Sequence, residues 1–285
     1  MKGDDSLLCC PICGGALRRE PGRYLCPGGH SYDRAREGYV HLLPANRKHA
    51  REPGDDKGMT AARHRFLSGG YYQPLRAALC DLALEGAGDG SAVLDSGCGE
   101  GYYTQGVWQA LTGAGRSVRL VGIDLSKPSV RLAAKRLESG ELAVASAYRL
   151  PVAADRVDLL LNCFSPLALA EFRRVLRPGG WFLYVVPGAD HLWELKQVLY
   201  DTPYRNREED IPYDGFSYEA VVPVKYRMAV SGPDLRDLFQ MTPYYWKTPR
   251  EGKIRLEGLD GLEVTAEFRI HVFRRLPPLA QQAGL

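Results

Sequence analysis

The sequence contains no run of about 18 consecutive apolar residues, so no membrane-spanning helix is expected. Its first residues, Met1-Lys2-Gly3-Asp4-Asp5, lack the apolar stretch of a secretory signal, and the cytoplasm is the expected compartment. There is no internal repeat and no low-complexity tract, which sets aside solenoids and compositionally biased chains. A large overall charge is also missing: 37 Lys and Arg stand against 34 Asp and Glu. The balance is uneven along the chain, however. Residues 1–76 hold 13 basic against 8 acidic residues, whereas the remainder holds 24 against 26. Four of the six histidines fall in that basic quarter as well. Such an asymmetry points to an acidic partner, nucleic acid first, against the plainer reading of a solvated surface.

What is present fits a globular enzyme. With 285 residues, 45% hydrophobic and 25% charged, the chain can bury a core without disulfides and is long enough for a catalytic domain plus a small module. Of seven cysteines, Cys9, Cys10, Cys13 and Cys26 crowd the start, while Cys80, Cys98 and Cys163 sit among apolar neighbours as small core residues. A dense early cluster in a cytosolic chain indicates metal rather than disulfides.

Cys10-Pro11-Ile12-Cys13 and Cys26-Pro27-Gly28-Gly29-His30 form two ligand pairs separated by 12 residues. Each short turn places two donors on one side, and a hairpin between them completes a tetrahedral Zn²⁺ site. Four protein ligands leave no open position, so the expected zinc is structural. Cys9 is a rival for the first position, but only Cys10 leaves the two-residue gap to Cys13. Gly14-Gly15 and Gly28-Gly29 provide the positive φ that such knuckles use. The module either caps the fold or grips RNA.

From Ser91 onward, short apolar strands alternate with helical segments. This is the pattern of a doubly wound, mostly parallel α/β sheet whose ligands bind beyond the carboxyl ends of the strands. Val93-Leu94-Asp95-Ser96-Gly97-Cys98-Gly99-Glu100-Gly101 places an acidic residue at a strand end, then a glycine turn, then a helix start. The small residues admit a bulky ligand close to the backbone, and free N–H groups at the helix start favour its anionic part. Gly122-Ile123-Asp124 ends the next strand with a carboxylate suited to ribose hydroxyls. Ala145–Pro151 and Val157–Leu161 continue the series, and Leu176-Arg177-Pro178-Gly179-Gly180 precedes another strand. A pyridine-nucleotide dehydrogenase would need G-x-G-x-x-G/A, which the spacing of Gly97, Gly99 and Gly101 does not match. The ordered set resembles class I S-adenosylmethionine (SAM)-dependent methyltransferases. Expected boundaries are a zinc module over 1–43, a polar linker over 44–58, and a methyltransferase domain over 59–285 with substrate-side elements at its end.

A narrower likeness follows from C-P-x-C…C-P-x-x-H, Glu37–Pro44, Glu52-Pro53-Gly54-Asp55, Tyr71–Leu75, Asp95–Thr104, Pro187–Lys196 and Met241–Tyr244. Spread over residues 9–273, these segments resemble the bacterial large-subunit ribosomal RNA guanine-N1-methyltransferase family. The resemblance implies methyl transfer to N1 of a guanine in a hairpin loop of 23S rRNA. One branch modifies one guanine; a second modifies a near neighbour and is linked to resistance to tylosin-type macrolides. It assigns zinc to Cys10, Cys13, Cys26 and His30, and SAM contacts to Tyr72, Gly99, Glu100 and His191. Class I logic adds Asp95, Gly97 and, for the ribose, Asp124. It leaves open whether the chain works alone or as a homodimer.

Two departures stand out. Ser96 occupies a place usually apolar, and Phe164-Ser165-Pro166 replaces the N-P-P-Y of exocyclic-amine methylases, in keeping with attack by a ring nitrogen. Guanine N1 must lose a proton before it attacks, and Asp55 is the candidate acceptor, with capping of the helix near Met59 as its other reading. Tyr39, Tyr244, Tyr245 and Trp246 are candidates to stack the base, or else core residues. Arg47, Lys48 and Arg51 are candidate phosphate contacts. Two further readings remain: a small-molecule methyltransferase lidded by the zinc module, and a zinc- and RNA-binding protein without activity.

Overall fold

The computed structural model describes residues 5–44, 54–137, 139–209 and 212–278. Most of the linker, including Arg47, Lys48 and Arg51, lies outside the described residues. The described N-terminal residues form an antiparallel ribbon of β1 (Asp5–Cys9), β2 (Ala16–Glu20), β3 (Arg23–Leu25) and β4 (Ser31–Asp33), in that order. The next strand, β5 (Val40–His41), falls within the segment assigned to the zinc module from sequence. It adds in parallel to the edge of a second, larger sheet.

Two helices come before that sheet's central strands. Asp56 caps α1 (Lys57–Ser68) by accepting the Met59 N–H at 2.8 Å. Gly69 and Gly70 end it, Gly70 in the left-handed region at φ 82°, and α2 (Gln73–Gly86) follows with proline in its first turn. The chain then runs β6 (Ala92–Ser96), α3 (Tyr102–Gly113), β7 (Arg119–Asp124), α4 (Lys127–Arg136), β8 (Glu141–Val144), β9 (Val157–Cys163), α5 (Leu169–Val175), β10 (Leu176–Pro187) and α6 (Trp193–Leu199). The long β11 (Phe216–Ser231) leads to α7 (Gly232–Gln240), α8 (Tyr244–Lys247), α9 (Arg250–Glu257) and β12 (Gly261–Arg275). Among the described residues the sheet order is β11-β12-β10-β9-β6-β7-β8-β5, with only β12 antiparallel to its neighbours. The winding reverses between β6 and β9, and the crevice at their carboxyl ends is the position this topology offers a ligand. The Arg177–Gly180 turn read from sequence is a bulged start to β10, with Gly179 at φ 77°.

Every residue of β6 and β9 is buried, as strands covered on both faces must be. Val93, Leu159, Leu161 and Leu183 join one core with Leu75, Leu79, Val107 and Leu111 of α2 and α3. Ala92, Leu94, Leu160 and Phe182 join the other with Phe172 of α5. A helix is missing from that second face, because residues 145–156 between β8 and β9 carry only a 3-10 turn at Ala147–Arg149. The ribbon takes its place, contributing Leu7, Leu8, Leu17 and Tyr24 to the second core. Cys9 N–H donates to the Pro151 carbonyl at 2.8 Å, Leu8 bridges Val152, and the Leu7 N–H and Ser6 hydroxyl both donate to Glu141. Among the described residues no helix is long and apolar enough to cross a membrane.

This packing makes Leu8, fully buried, a joint between the two parts. Leu8→Ala is expected to cost about 2–5 kcal/mol of stability in guanidinium unfolding. Ile12→Ala, at a site 62% exposed on the neighbouring knuckle, should cost less than about 0.5 kcal/mol.

Candidate functional site

At the tip of the ribbon the structure gathers Cys10, Cys13, Cys26 and His30, with all four donor atoms within 4.8 Å of one another. Cys13 Sγ lies 3.6 Å from Cys26 Sγ, and His30 Nδ1 lies 3.3 Å from Cys26 Sγ and 3.6 Å from Cys10 Sγ. These are close to the edges of a tetrahedron drawn with Zn–S of about 2.3 Å and Zn–N of about 2.0–2.1 Å. The donor set therefore fits one structural Zn²⁺, bound through Nδ1 of the histidine. Outer contacts steady the ligands: the His30 N–H points to Cys26 Sγ at 3.3 Å, and the Tyr32 hydroxyl lies 3.0 Å from Cys10 Sγ. Gly14 and Gly29 take the left-handed conformation the knuckles need. Cys9 stands outside the cluster, its backbone committed to Pro151.

The second site lies in the crevice at the carboxyl ends of β6, β7 and β9. Asp124 accepts the Gly99 N–H at 2.9 Å and the Ser126 N–H at 2.7 Å, one on each oxygen, so the glycine turn is tied to the end of β7. Burial raises its pKa while these backbone donors oppose the rise. Gly97 sits at φ 88°, and a Cβ there would overlap Ser165 Oγ. Gly99 also has positive φ, yet a Cβ on it would meet nothing within 4 Å, so this stretch of backbone faces open space. Buried polar atoms without a partner among the described residues concentrate around this turn: Asp95 Oδ1, Ser96 Oγ, Glu100 Oε1, Tyr103 Oη and Asn162 Oδ1. Burial lifts Asp95 to about 7, against the Thr104 hydroxyl that donates to its other oxygen at 2.7 Å. Open backbone ringed by unsatisfied donors and acceptors is the mark of a polar ligand site, and the SAM expected from sequence fits that chemistry.

The remaining predicted residues arrive from elsewhere in the chain. Tyr72, just before α2, and His191, in the turn before α6, are both buried, with Tyr72 Oη 3.5 Å from His191 Nε2. The Glu267 N–H points to His191 Nδ1 at 3.3 Å, which leaves the proton on Nε2. Burial, and then the Lys196 ammonium, pull His191 down to about 3, so it is a neutral contact and not a base at ordinary pH. Glu100 turns one oxygen toward α1 and α4, where His64 Nδ1 lies at 2.8 Å and Arg136 at 2.7 Å.

Asp55 does not cap α1; its neighbour Asp56 does, because the helix starts one residue later than the capping reading of Asp55 requires. Asp55 instead forms an ion pair with Arg63, and its carbonyl accepts the Ser126 hydroxyl at 2.8 Å. Arg63 was not singled out from sequence, where it is one of several basic residues on a helix. In the structure it is half-buried, where burial pulls its pKa down and the Asp124 and Glu100 carboxylates oppose the fall, and it donates to the Met241 carbonyl at 3.1 Å. Of the stacking candidates, Tyr39 is buried in the core, Tyr244 packs near Tyr200, and Tyr245 packs on Phe239. Trp246 is 66% exposed, with its N–H toward Met59 of α1.

Two outcomes follow from these environments. Protein purified without chelators should hold about one Zn²⁺ per chain and lose it in Cys26→Ser with a lower melting temperature, while Cys9→Ser keeps the metal. His191 has a folded pKa of about 3 against an ordinary 6.5. Between those values the unfolded chain binds the extra proton, so stability falls as pH drops through 6.5. His191→Gln should flatten that part of the stability-versus-pH curve, measured by denaturant unfolding at pH 7, 6, 5 and 4.

Comparison with known proteins agrees with this geometry. The zinc-ribbon family described as "RlmA, N-terminal" matches residues 8–51, and a methyltransferase-domain family matches residues 93–180. A relative from Micromonospora griseorubida is 36% identical over 94% of this chain and 97% of its own length, and one from Bacillus subtilis is 31% identical over 94% and 96%. Both are provisionally named 23S rRNA (guanine-N(1)-)-methyltransferases. The 23S rRNA (guanine(748)-N(1))-methyltransferase of Streptomyces fradiae is 34% identical over 95% of this chain and 97% of its own. With a zinc ribbon, a SAM-dependent methyltransferase fold and similarity along nearly the whole chain, the protein belongs to the 23S rRNA guanine-N1-methyltransferase family.

Proposed function

We propose that this chain transfers a methyl group from SAM to N1 of a guanine in a hairpin loop of 23S rRNA. The observation that carries the cofactor half of this reading is the open Gly99 backbone ringed by unpartnered polar atoms. The rRNA half rests on full-length similarity to relatives named for that substrate. The basic excess of residues 1–76 suits attraction to phosphates. On this reading the enzyme works in the cytoplasm, where ribosomal RNA is made.

When bound, SAM supplies a methyl group on a sulfonium that a deprotonated ring nitrogen attacks. Asp124 has lone pairs beyond its two backbone bonds and would accept from the ribose hydroxyls. Asp95 Oδ1 and Glu100 Oε1 await donors, and the α-amino group of the methionine part suits the buried Asp95, which pairing would keep ionised. Arg63 would offer its remaining N–H groups to the methionine carboxylate. Neutral His191 and Tyr72 line the pocket without adding charge to it. The base must leave its stack to reach the pocket, as in other enzymes acting on hairpin-loop bases. Asp55, held by Arg63 at the pocket edge, is the proposed acceptor of the N1 proton.

Asp124→Ala should weaken SAM binding by about 5- to 150-fold in calorimetry, the equivalent of 1–3 kcal/mol for hydrogen bonds to a charged acceptor. Gly99→Val should abolish binding, both by filling the open space and by straining a left-handed residue. Primer extension on 23S rRNA treated with enzyme and SAM should stop at one hairpin-loop guanine, because N1-methylation blocks pairing. Readthrough at every loop guanine, with SAM bound, would remove the rRNA assignment and leave the methyltransferase one.

A further inference from the structure

The turn that leaves β9 is built at a conformational cost. Among the described residues three non-glycine residues have positive φ, and one is Phe164, at 53°. A glycine or asparagine would adopt that conformation readily, whereas a phenylalanine there is strained, and strain of this kind persists where the surroundings impose it. The surroundings are visible. Asn162 donates its side-chain amide to the Ser96 carbonyl at 3.0 Å and to the Pro166 carbonyl at 3.3 Å, stapling the turn to the end of β6. The Phe164 N–H reaches the Val185 carbonyl on β10 at 3.2 Å. Ser165 closes against Gly97 so tightly that any side chain at Gly97 would overlap its hydroxyl.

The result is an aromatic ring 46% exposed on a residue whose strand neighbours are all buried. It lies one residue from the side chain that touches the glycine turn. One flank meets Phe268 at 5.7 Å and Tyr103 at 6.4 Å between centroids, and Phe268 in turn meets Tyr72 and His191 at 4.8 and 4.7 Å. Phe164 is thus the outermost ring of an aromatic wall running from the cofactor turn to the Tyr72–His191 pair. Core packing does not call for a half-exposed ring, and backbone economy argues against it.

We propose that Phe164 is the platform on which the target guanine stacks once it has left the RNA loop. Resting on the rRNA reading above, the proposal adds the residue that holds the substrate base. A flat apolar face beside the cofactor turn fixes the plane of the purine while leaving its N1 edge free to approach the methyl group. Base–aromatic stacking is strong enough to position an unstacked base without reading its identity. Recognition of guanine itself then falls to polar groups at the rim.

The test uses the full-length protein, SAM and an rRNA hairpin whose methylated guanine has been located by primer extension. Removing the ring in Phe164→Gly should lower kcat/KM for the hairpin by about 5- to 150-fold, the usual worth of one stacked base. The same variant should stay folded with a melting temperature within a few degrees of wild type, because glycine relieves the left-handed strain and offsets the packing lost against Phe268 and Tyr103, and SAM affinity without RNA should stay within about twofold. Phe164→Tyr, which keeps the aromatic face, should retain most of the activity. Three results would overturn the proposal: methylation by Phe164→Gly at the wild-type rate, loss of stability or SAM affinity in step with activity, or failure of Phe164→Tyr as severe as that of the glycine variant. Absence of methylation by the wild-type enzyme itself would instead strike at the rRNA reading.

Discussion

Asp124 holds the site together through two short backbone hydrogen bonds. A partly buried carboxylate is costly to keep charged, and the Gly99 and Ser126 N–H groups offset part of that cost. In return the glycine turn after β6 is locked in register with the end of β7. Ser126 then extends the linkage. Its hydroxyl caps α4 through the Ser129 N–H, and it donates to the Asp55 carbonyl, which brings the segment before α1 over the pocket. Asp55 reaches Arg63, and Arg63 faces back toward Asp124. The segment before α1 is therefore fastened, through Ser126, to the same carboxylate that holds the glycine turn.

Helix α1 is fixed in place by what its polar side chains reach. Thr60 meets Ser129 of α4 at 3.0 Å, His64 meets Glu100, and Arg65 holds both oxygens of Asp237 on α7 at 2.6 and 2.7 Å. Each partner lies between 36 and 172 residues away in sequence. Removing Arg65 would strand the buried Asp237 carboxylate, which costs more than forming the pair gained. That asymmetry makes the arrangement specific even where its net stabilisation is small.

The same distances explain what the sequence could and could not reveal. Glycines 97, 99 and 101 and the carboxylates of β6 and β7 are legible as a turn between two strand ends, because those positions are set within a few residues by strand period and turn geometry. The zinc pairs were legible for the same reason. Arg63 and His64 were not, since on a helix read alone they look like a solvated face. Asp55 and Asp56 are adjacent and chemically alike, so only the true start of α1 separates the cap from the ion pair. Sequence alone leaves Tyr39 as either a stacking or a core residue, and its place just before β5 puts it in the core. The strain at Phe164 left no trace in composition, because the residues that tolerate positive φ are absent there.

The ribbon makes a last connection. Its strands cover the sheet face that residues 145–156 leave without a helix, and Glu141 at the start of β8 is held by Ser6 and Leu7. Folding of a small knuckle with so little core of its own draws on the metal's binding free energy. That energy is spent on a surface shared with Leu94, Val121 and Ile123, the strands whose ends carry Asp95 and Asp124. The metal-binding ribbon is thus joined by packing to the strands that lead into the glycine turn. The zinc is structural in a stronger sense than closing its own loop, because the second face of the catalytic sheet is completed only when the ribbon is folded.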